Sequence, residues 1–235
     1  MVGPGELAGS REPLACILSD CDGVIVDSEA VAEAAMVEVL QHAFGTPDLA
    51  VHLRPLVGTR VIDIIRILES KLGKPQPDGR RAELQEIIDA RVAEVGKPIP
   101  LALETYRAIG LPVAVVSNSA FPRLYRSVEL AGMLPLVGRH IYSTEDVGRP
   151  KPEPDGYLYA ARQLGFAPSA CLVIEDSATG VQAACAAGMR VLGFLGGSHV
   201  TEGHAALLMK AGVVQVFDRM SDLPALVQHL NRRVE

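Results

Sequence analysis

After Pro100 the chain alternates between two kinds of segment. Short apolar runs at 113–117, 141–143, 171–175, 191–194 and 213–217 have the length and content of buried strands. Helical stretches lie between them, near 101–109, 122–131, 154–164, 177–187 and 205–210. Strands and helices in alternation bury their apolar faces as a parallel, doubly wound sheet with helices on both sides. The apolar run Ala15 to Leu18 reads as an opening strand of the same sheet. Beyond that strand a purely helical block breaks the alternation. From Glu29 to Phe44 one helical face carries Val31, Ala35, Val39 and Leu40, and Gly45 and Pro47 end it. A second helix comes after Gly58 and Thr59 and runs through Val61, Ile64, Ile65 and Leu68. A third runs from about Asp78 to Val95 through Leu84, Ile87, Ile88 and Val92, before Gly96 and the prolines at 98 and 100 break the pattern. The expected architecture is therefore α/β: a Rossmann-like doubly wound core of residues 13–28 and 98–235, an inserted α-helical cap of residues 29–97 over the strand ends, and a loose tail of residues 1–12.

Composition narrows the function classes. A hydrophobic content of 49% excludes a disordered chain, and no apolar run is long enough to span a bilayer. Residues 1–12 have no apolar core of the kind a secretory signal needs. A net charge of −6 argues against a general nucleic-acid binder. Cys16, Cys21, Cys171 and Cys185 form no Cys-x-x-Cys pair, which predicts reduced thiols and a cytoplasmic protein; a monomer is the default. The six histidines, at 42, 52, 140, 199, 204 and 229, lack metal-ligand spacing and are expected at the surface or in packing. No Gly-x-Gly-x-x-Gly stands after the first strand and no Walker lysine motif occurs, so dinucleotide and P-loop binding are excluded.

In an open α/β sheet, ligands bind beyond the carboxyl ends of the strands. Four strand ends carry or lead into unusual polar groups. The first ends in Asp20-Cys21-Asp22-Gly23, where side chains two apart on an extended backbone share a face and can converge. The second ends in Ser117-Asn118-Ser119, and the third leads into Lys151 between Pro150 and Pro152. A further strand ends in Glu175-Asp176-Ser177. Taken singly, these are a polar turn, a helix cap, a solvated lysine and a helix-start pair. Together they place Asp20, Asp22, Glu175 and Asp176 at one sheet edge, where a phosphate ester adds up to about two more negative charges. A hard divalent cation such as Mg²⁺ and one fixed ammonium, Lys151, would hold such a site together.

The four segments resemble the motifs of the haloacid dehalogenase-like superfamily of aspartate-nucleophile phosphatases. The stretch from Asp20 to Glu29 is similar to the family's first motif, Ser117 to the second, Lys151 in Lys-Pro-Glu-Pro to the third, and Glu175 to Gly180 to the fourth. The helical insertion resembles the cap of the branch that contains β-phosphoglucomutase and phosphoglycolate phosphatase. The resemblance implies that Asp20 attacks phosphorus to form an aspartyl-phosphate, since a carboxylate is already ionised and needs no base. Asp22 then protonates the leaving alkoxide and later activates water, and its backbone carbonyl reaches the metal. Ser117 and the Asn118 backbone bond the phosphoryl oxygens, Lys151 offsets charge, and Asp176, supported by Glu175, completes the Mg²⁺ site.

The expected activity is hydrolysis of a small phosphorylated sugar, sugar acid or polyol, or of a phosphoglycolate-like ester. The alternative is a phosphosugar mutase. That subgroup carries a histidine where Ala32 stands here, and a Gly-x-x-Arg cap loop where this chain has Gly58-Thr59-Arg60-Val61 with the arginine displaced by one. Dehalogenases lack an acid at the position of Asp22, and a non-catalytic phosphate-binding module would not need every chemical position filled. Gly58, Thr59 and Arg60, with Arg54 and His52, are expected to face the leaving group from the cap, and the glycines at 193, 196 and 197 allow that loop to approach the site closely.

Overall fold

The structure, a computed structural model, describes residues 12–53, 56 and 59–232, and for 29–33 and 92–95 the backbone alone. In chain order the elements are β1 (Cys16–Ser19), β2 (Val26–Asp27), α1 (Glu29–Phe44), α2 (Leu49–Leu53), α3 (Val61–Leu72), α4 (Arg80–Val95) and β3 (Lys97–Pro98). Next come α5 (Ala102–Ile109), β4 (Val113–Ser117), α6 (Phe121–Leu130), α7 (Leu134–Val137), β5 (Ile141–Ser143), α8 (Thr144–Val147) and α9 (Asp155–Leu164). The chain continues through β6 (Cys171–Glu175), α10 (Ala178–Ala186), β7 (Arg190–Phe194), α11 (His204–Ala211), β8 (Gln215–Phe217) and α12 (Leu223–Arg232).

Six of the strands form one parallel sheet in the order β5-β4-β1-β6-β7-β8. The chain builds outward from β1 through β4 and β5, then returns to β1's other side for β6, β7 and β8. That reversal makes a crevice at the carboxyl end of β1. Alternate residues of each strand enter opposite layers. Ile17, Val115, Leu172, Ile174 and Leu192 pack with residues of α5, α6 and α12. Cys16, Leu18, Ala114, Val116, Cys171, Val173 and Val191 pack with residues of α9, α10 and α11. Burial on both faces explains why these strands read as continuous apolar runs. All four cysteines are free.

The block between β2 and β3 has its own core. Ala35, Val39, Leu40 and Phe44 of α1 meet Leu49 and Leu53, the α3 residues Ile64, Ile65 and Leu68, and Leu84 and Ile88 of α4. β2 and β3 pair antiparallel, Val26 opposite Pro98 and Asp27 opposite Lys97. Both chain crossings between this block and the large sheet therefore pass through one two-stranded ribbon. α4 also packs against α6 of the sheet layer.

The expected elements recur with small differences. The opening strand begins one residue later, and the expected strand at 213–217 keeps only Gln215–Phe217. Helices α2, α7, α8 and α12 and the β2–β3 ribbon add to the elements expected from the sequence. A five-residue helix such as α2 is too short to show a period, and the ribbon's two-residue strands cannot show alternation. Gly58 and Arg54 lie outside the described residues, as do the side chains of Val31, Ala32 and Val92. No helix among the described residues is long and apolar enough to cross a membrane.

Leu68 is fully buried at the centre of the helical block's cluster. Leu68→Ala is expected to cost about 2–5 kcal/mol in urea denaturation, the range for an aliphatic core truncation. A cost below about 1 kcal/mol would show that this block does not pack as described.

Candidate active site

Strand register brings the first charges together. Ser19 lies opposite Val115 on β4 and Ile174 on β6, so the next residue, Asp20, stands level with Glu175 and one step short of Ser117. Lys151 arrives from the loop after α8, where its peptide with Pro152 is cis. That loop is held by Asn118, whose Oδ1 accepts from Lys151 N at 2.9 Å and from Thr144 Oγ1 at 2.8 Å. The Lys151 ammonium donates to Asp20 Oδ1 at 2.5 Å, Glu175 Oε1 at 2.7 Å and the Val116 carbonyl at 2.9 Å. Its three protons thus have three acceptors, and the Tyr157 ring lies 4.8 Å away.

Glu175 is fully buried and its two oxygens are both engaged. Tyr157 donates to Oε1 at 2.8 Å, while Oε2 accepts from Asp176 N, Ser177 N and Ser177 Oγ, each at 3.0 Å. Ser177 Oγ also accepts from Gly180 N at 3.0 Å and so caps α10. Residue 180 has no room for a side chain: a Cβ there would lie 1.7 Å from Glu175 Oε1.

Asp20, Glu175 and Asp176 bring one carboxylate oxygen each within 4.8 Å of one another. Burial drives the Asp20 carboxyl well above the usual range; Lys151 opposes this, and Glu175, Asp176 and Asp22 add to it. Asp176 is raised likewise, by burial first and then by Glu175. For Lys151, burial works against the charge, but Asp20 and Glu175 outweigh it and hold the ammonium well above the usual lysine range. One ammonium stands among these three carboxyl groups. The all-oxygen donor set, whose ionisation burial and mutual repulsion oppose, fits a hard divalent cation.

Asp22 lies in different surroundings. The Asp22 carboxylate is not part of the cluster of Asp20, Glu175 and Asp176, although its charge acts on Asp20, and the strand β1 ends at Ser19. The Cys21 carbonyl accepts from Ile25 N at 2.8 Å and Val26 N at 3.0 Å, so the chain coils there, with Gly23 at φ +80°. The Asp22 carboxylate turns to Arg123 Nη2 at 2.7 Å, Ser28 Oγ at 2.6 Å and Ser119 Oγ at 2.7 Å. Ser117 Oγ approaches it at 3.4 Å and accepts from Ser119 N at 3.0 Å. Burial pushes the Asp22 carboxyl up, but Arg123 and the two serine hydroxyls outweigh burial and leave it below the usual range. Arg123 also reaches Asp89 of α4 at 3.4 Å, linking the sheet layer to the helical block. A cleft of about 410 Å³ lies on the far side of Arg123, with Ile62, Asp89 and Arg126 among its walls.

Sequence reading missed Ser28, Ser119, Arg123 and Tyr157, since none stands out by spacing. It also missed two of the histidines assigned to surface or packing. His199 Nε2 lies 3.1 Å from Asp176 Oδ2, and His204 Nε2 donates to the Asp176 carbonyl at 2.6 Å. The glycines at 193, 196 and 197 were the available signal, and that loop does come close: a Cβ at Gly197 would lie 3.2 Å from the Gly23 carbonyl. Thr59 and Arg60 are not joined to the carboxylates by any contact among the described residues. Arg60 Nε instead pairs with Asp63 Oδ2 at 2.7 Å in the first turn of α3.

A family model described as haloacid dehalogenase-like hydrolase matches residues 14–188. The chain is 29% identical over 188 residues to 6-phosphogluconate phosphatase of Escherichia coli K12, covering 78% of this chain and 83% of that protein. Hexitol phosphatase A of the same organism is 32% identical over 181 residues, covering 74% and 80%. Among solved structures, a conserved haloacid dehalogenase-like protein of unknown function from Agrobacterium tumefaciens C58 is 34% identical with a TM-score of 0.78, covering 92% of this chain and 99% of that one. A family hydrolase from Deinococcus radiodurans R1, solved with bound phosphate and sodium, is 33% identical with a TM-score of 0.69, covering 92% and 96%. With the parallel sheet, the strand-end carboxylates and the fixed lysine in place, these matches establish that the chain belongs to the haloacid dehalogenase-like hydrolases.

Proposed function

We propose that this hydrolase is a Mg²⁺-dependent phosphatase that cleaves a small phosphate monoester through a phosphorylated Asp20. The observation that carries the reading is the buried contact of Lys151 with Asp20 and Glu175 beside Asp176. Asp20 attacks phosphorus, and the leaving alkoxide takes a proton from Asp22, which must bind that proton together with the substrate because beside Arg123 alone it is ionised. Asp22, ionised again, removes a proton from the water that hydrolyses the acyl phosphate, which frees Asp20 and returns the proton to Asp22. Lys151 offsets the charge of Asp20 and of the incoming phosphoryl oxygens, and Ser117 Oγ with the Asn118 backbone N–H donates to those oxygens. Asp20, Asp176 and the Asp22 carbonyl, backed by Glu175, would hold Mg²⁺, which when bound supplies Lewis-acid charge at the phosphoryl group.

Residues 29–97 serve in this reading as a cap rooted in the β2–β3 ribbon. Relatives named for 6-phosphogluconate and hexitol phosphates support a phosphorylated sugar acid or polyol as substrate. Hydrolysis is preferred over a mutase, because Arg60, the residue nearest a distal-phosphate arginine, is paired with Asp63.

Phosphate release from p-nitrophenyl phosphate is expected to stop on chelation and return with Mg²⁺. Asp20→Asn is expected to lower kcat by about a thousandfold or more, as loss of a nucleophile does. Metal-dependent turnover that survives Asp20→Asn would overturn the proposal, and isomerisation of a sugar phosphate without phosphate release would identify a mutase.

Arg123→Met tests the account of Asp22. It strands a buried carboxylate and is expected to cost about 3–5 kcal/mol at pH 7. The wild-type Asp22 carboxyl sits below its unfolded range, so its contribution holds above that range and is lost as pH falls through the lowered value. In the variant burial is opposed only by the Ser28 and Ser119 hydroxyls and the carboxyl rises, so acid relieves the variant. The stability gap should therefore be widest near neutrality and narrow towards pH 4, where denaturant melts of both proteins can measure it. A gap that widens on acidification would refute the pairing.

A further inference from the structure

The segment after β7 carries two histidines that meet at one residue. His199 reaches the Asp176 side chain and His204 its backbone carbonyl, and the two rings pack edge to face with centroids 5.5 Å apart. Among the described residues, no other side chain lies within hydrogen-bond or ion-pair distance of the Asp176 carboxylate. Space for the His199 contact is kept clear by two glycines. A Cβ at Gly23 would lie 1.7 Å from Asp176 Oδ2 and 3.1 Å from the His199 ring, and one at Gly197 would lie 2.7 Å from that ring. The loop is tied down next to His199, where Ser198 donates to Asp27 Oδ1 from its backbone N at 3.1 Å and its hydroxyl at 2.8 Å. His199 is about nine-tenths buried.

We propose that His199 is a positioning residue for Asp176, fixing one carboxylate oxygen so that the other is presented to a divalent cation. The inference rests on the reading of Asp176 as a metal ligand given above. With Asp176 ionised, as a metal ligand is, carboxylate and carbonyl oxygens only accept, so both histidines donate from Nε2. Asp176 is almost fully enclosed, and without His199 no other side chain among the described residues donates to its carboxylate, leaving its own backbone N–H as the donor that holds it relative to Asp20 and Glu175. Partners that orient a ligating group from outside the coordination sphere change metal affinity about 10–100-fold when removed.

Calorimetric titration of the full-length, metal-free protein with Mg²⁺ is the test, with the metal-free melting temperature recorded for each variant. His199→Ala is expected to bind Mg²⁺ about 10–100-fold more weakly. His199→Gln places an amide N–H where Nε2 stands and is expected to recover affinity to within about threefold of wild type. Wild-type affinity in His199→Ala would overturn the proposal. So would a loss that Gln does not restore and that accompanies a lower metal-free melting temperature, since the ring would then only pack the loop. With Mn²⁺ as probe, a nitrogen coupling in the electron spin-echo spectrum that disappears in His199→Ala would make His199 itself a ligand and also overturn it. Absence of Mg²⁺ binding by the wild-type protein would instead refute the metal reading on which the proposal stands.

Discussion

The contact on which the site depends is the burial of Lys151 between Asp20 and Glu175. Withdrawing such charges from water costs several kcal/mol per ion, and removing any partner leaves another exposed to that cost. The surrounding structure meets it with acceptors and donors from several strand ends. The Val116 carbonyl accepts a hydrogen bond from Lys151, Tyr157 and Ser177 donate to Glu175, and Asn118 holds the Lys151 backbone. The parallel register of β1, β4 and β6 sets these groups at one height. A slip of one residue in any strand would turn its charge into an apolar layer.

Two aspartates only two positions apart meet opposite surroundings. Asp20 lies among like charges and burial raises it, whereas Asp22 faces an arginine and two serine hydroxyls and is lowered. The difference comes from backbone geometry. Coiling after Ser19, with the Cys21 carbonyl bonded to Ile25 and Val26, turns Asp22 towards α6.

Arg123 joins this second aspartate to the helical block through Asp89. The block's own apolar cluster makes it a unit, and the β2–β3 ribbon connects it to the sheet at the end that carries Asp20. The charged contacts at Arg123 and the cleft behind it therefore lie where that unit meets the sheet layer.

The sequence by itself determined the sheet, the helical insertion and the strand-end groups Asp20, Ser117, Lys151, Glu175 and Asp176. Doubly buried strands must be continuous apolar runs, and charges that interrupt their ends stand out against them. Ser28, Ser119, Arg123, Tyr157, His199 and His204 were not legible, because each is an ordinary residue in its own segment. Arg123 sits in the first turn of α6 like any solvated helix arginine, and it becomes buried only because α4 and the coil after β1 close over it. His199 lies 23 residues beyond Asp176 and reaches it only because β6 and β7 are neighbours in the sheet. Periodicity and motif spacing register what a segment does with its own neighbours. Which buried charge meets which counter-charge depends on the order of strands and the path of loops, and only the tertiary structure decided that.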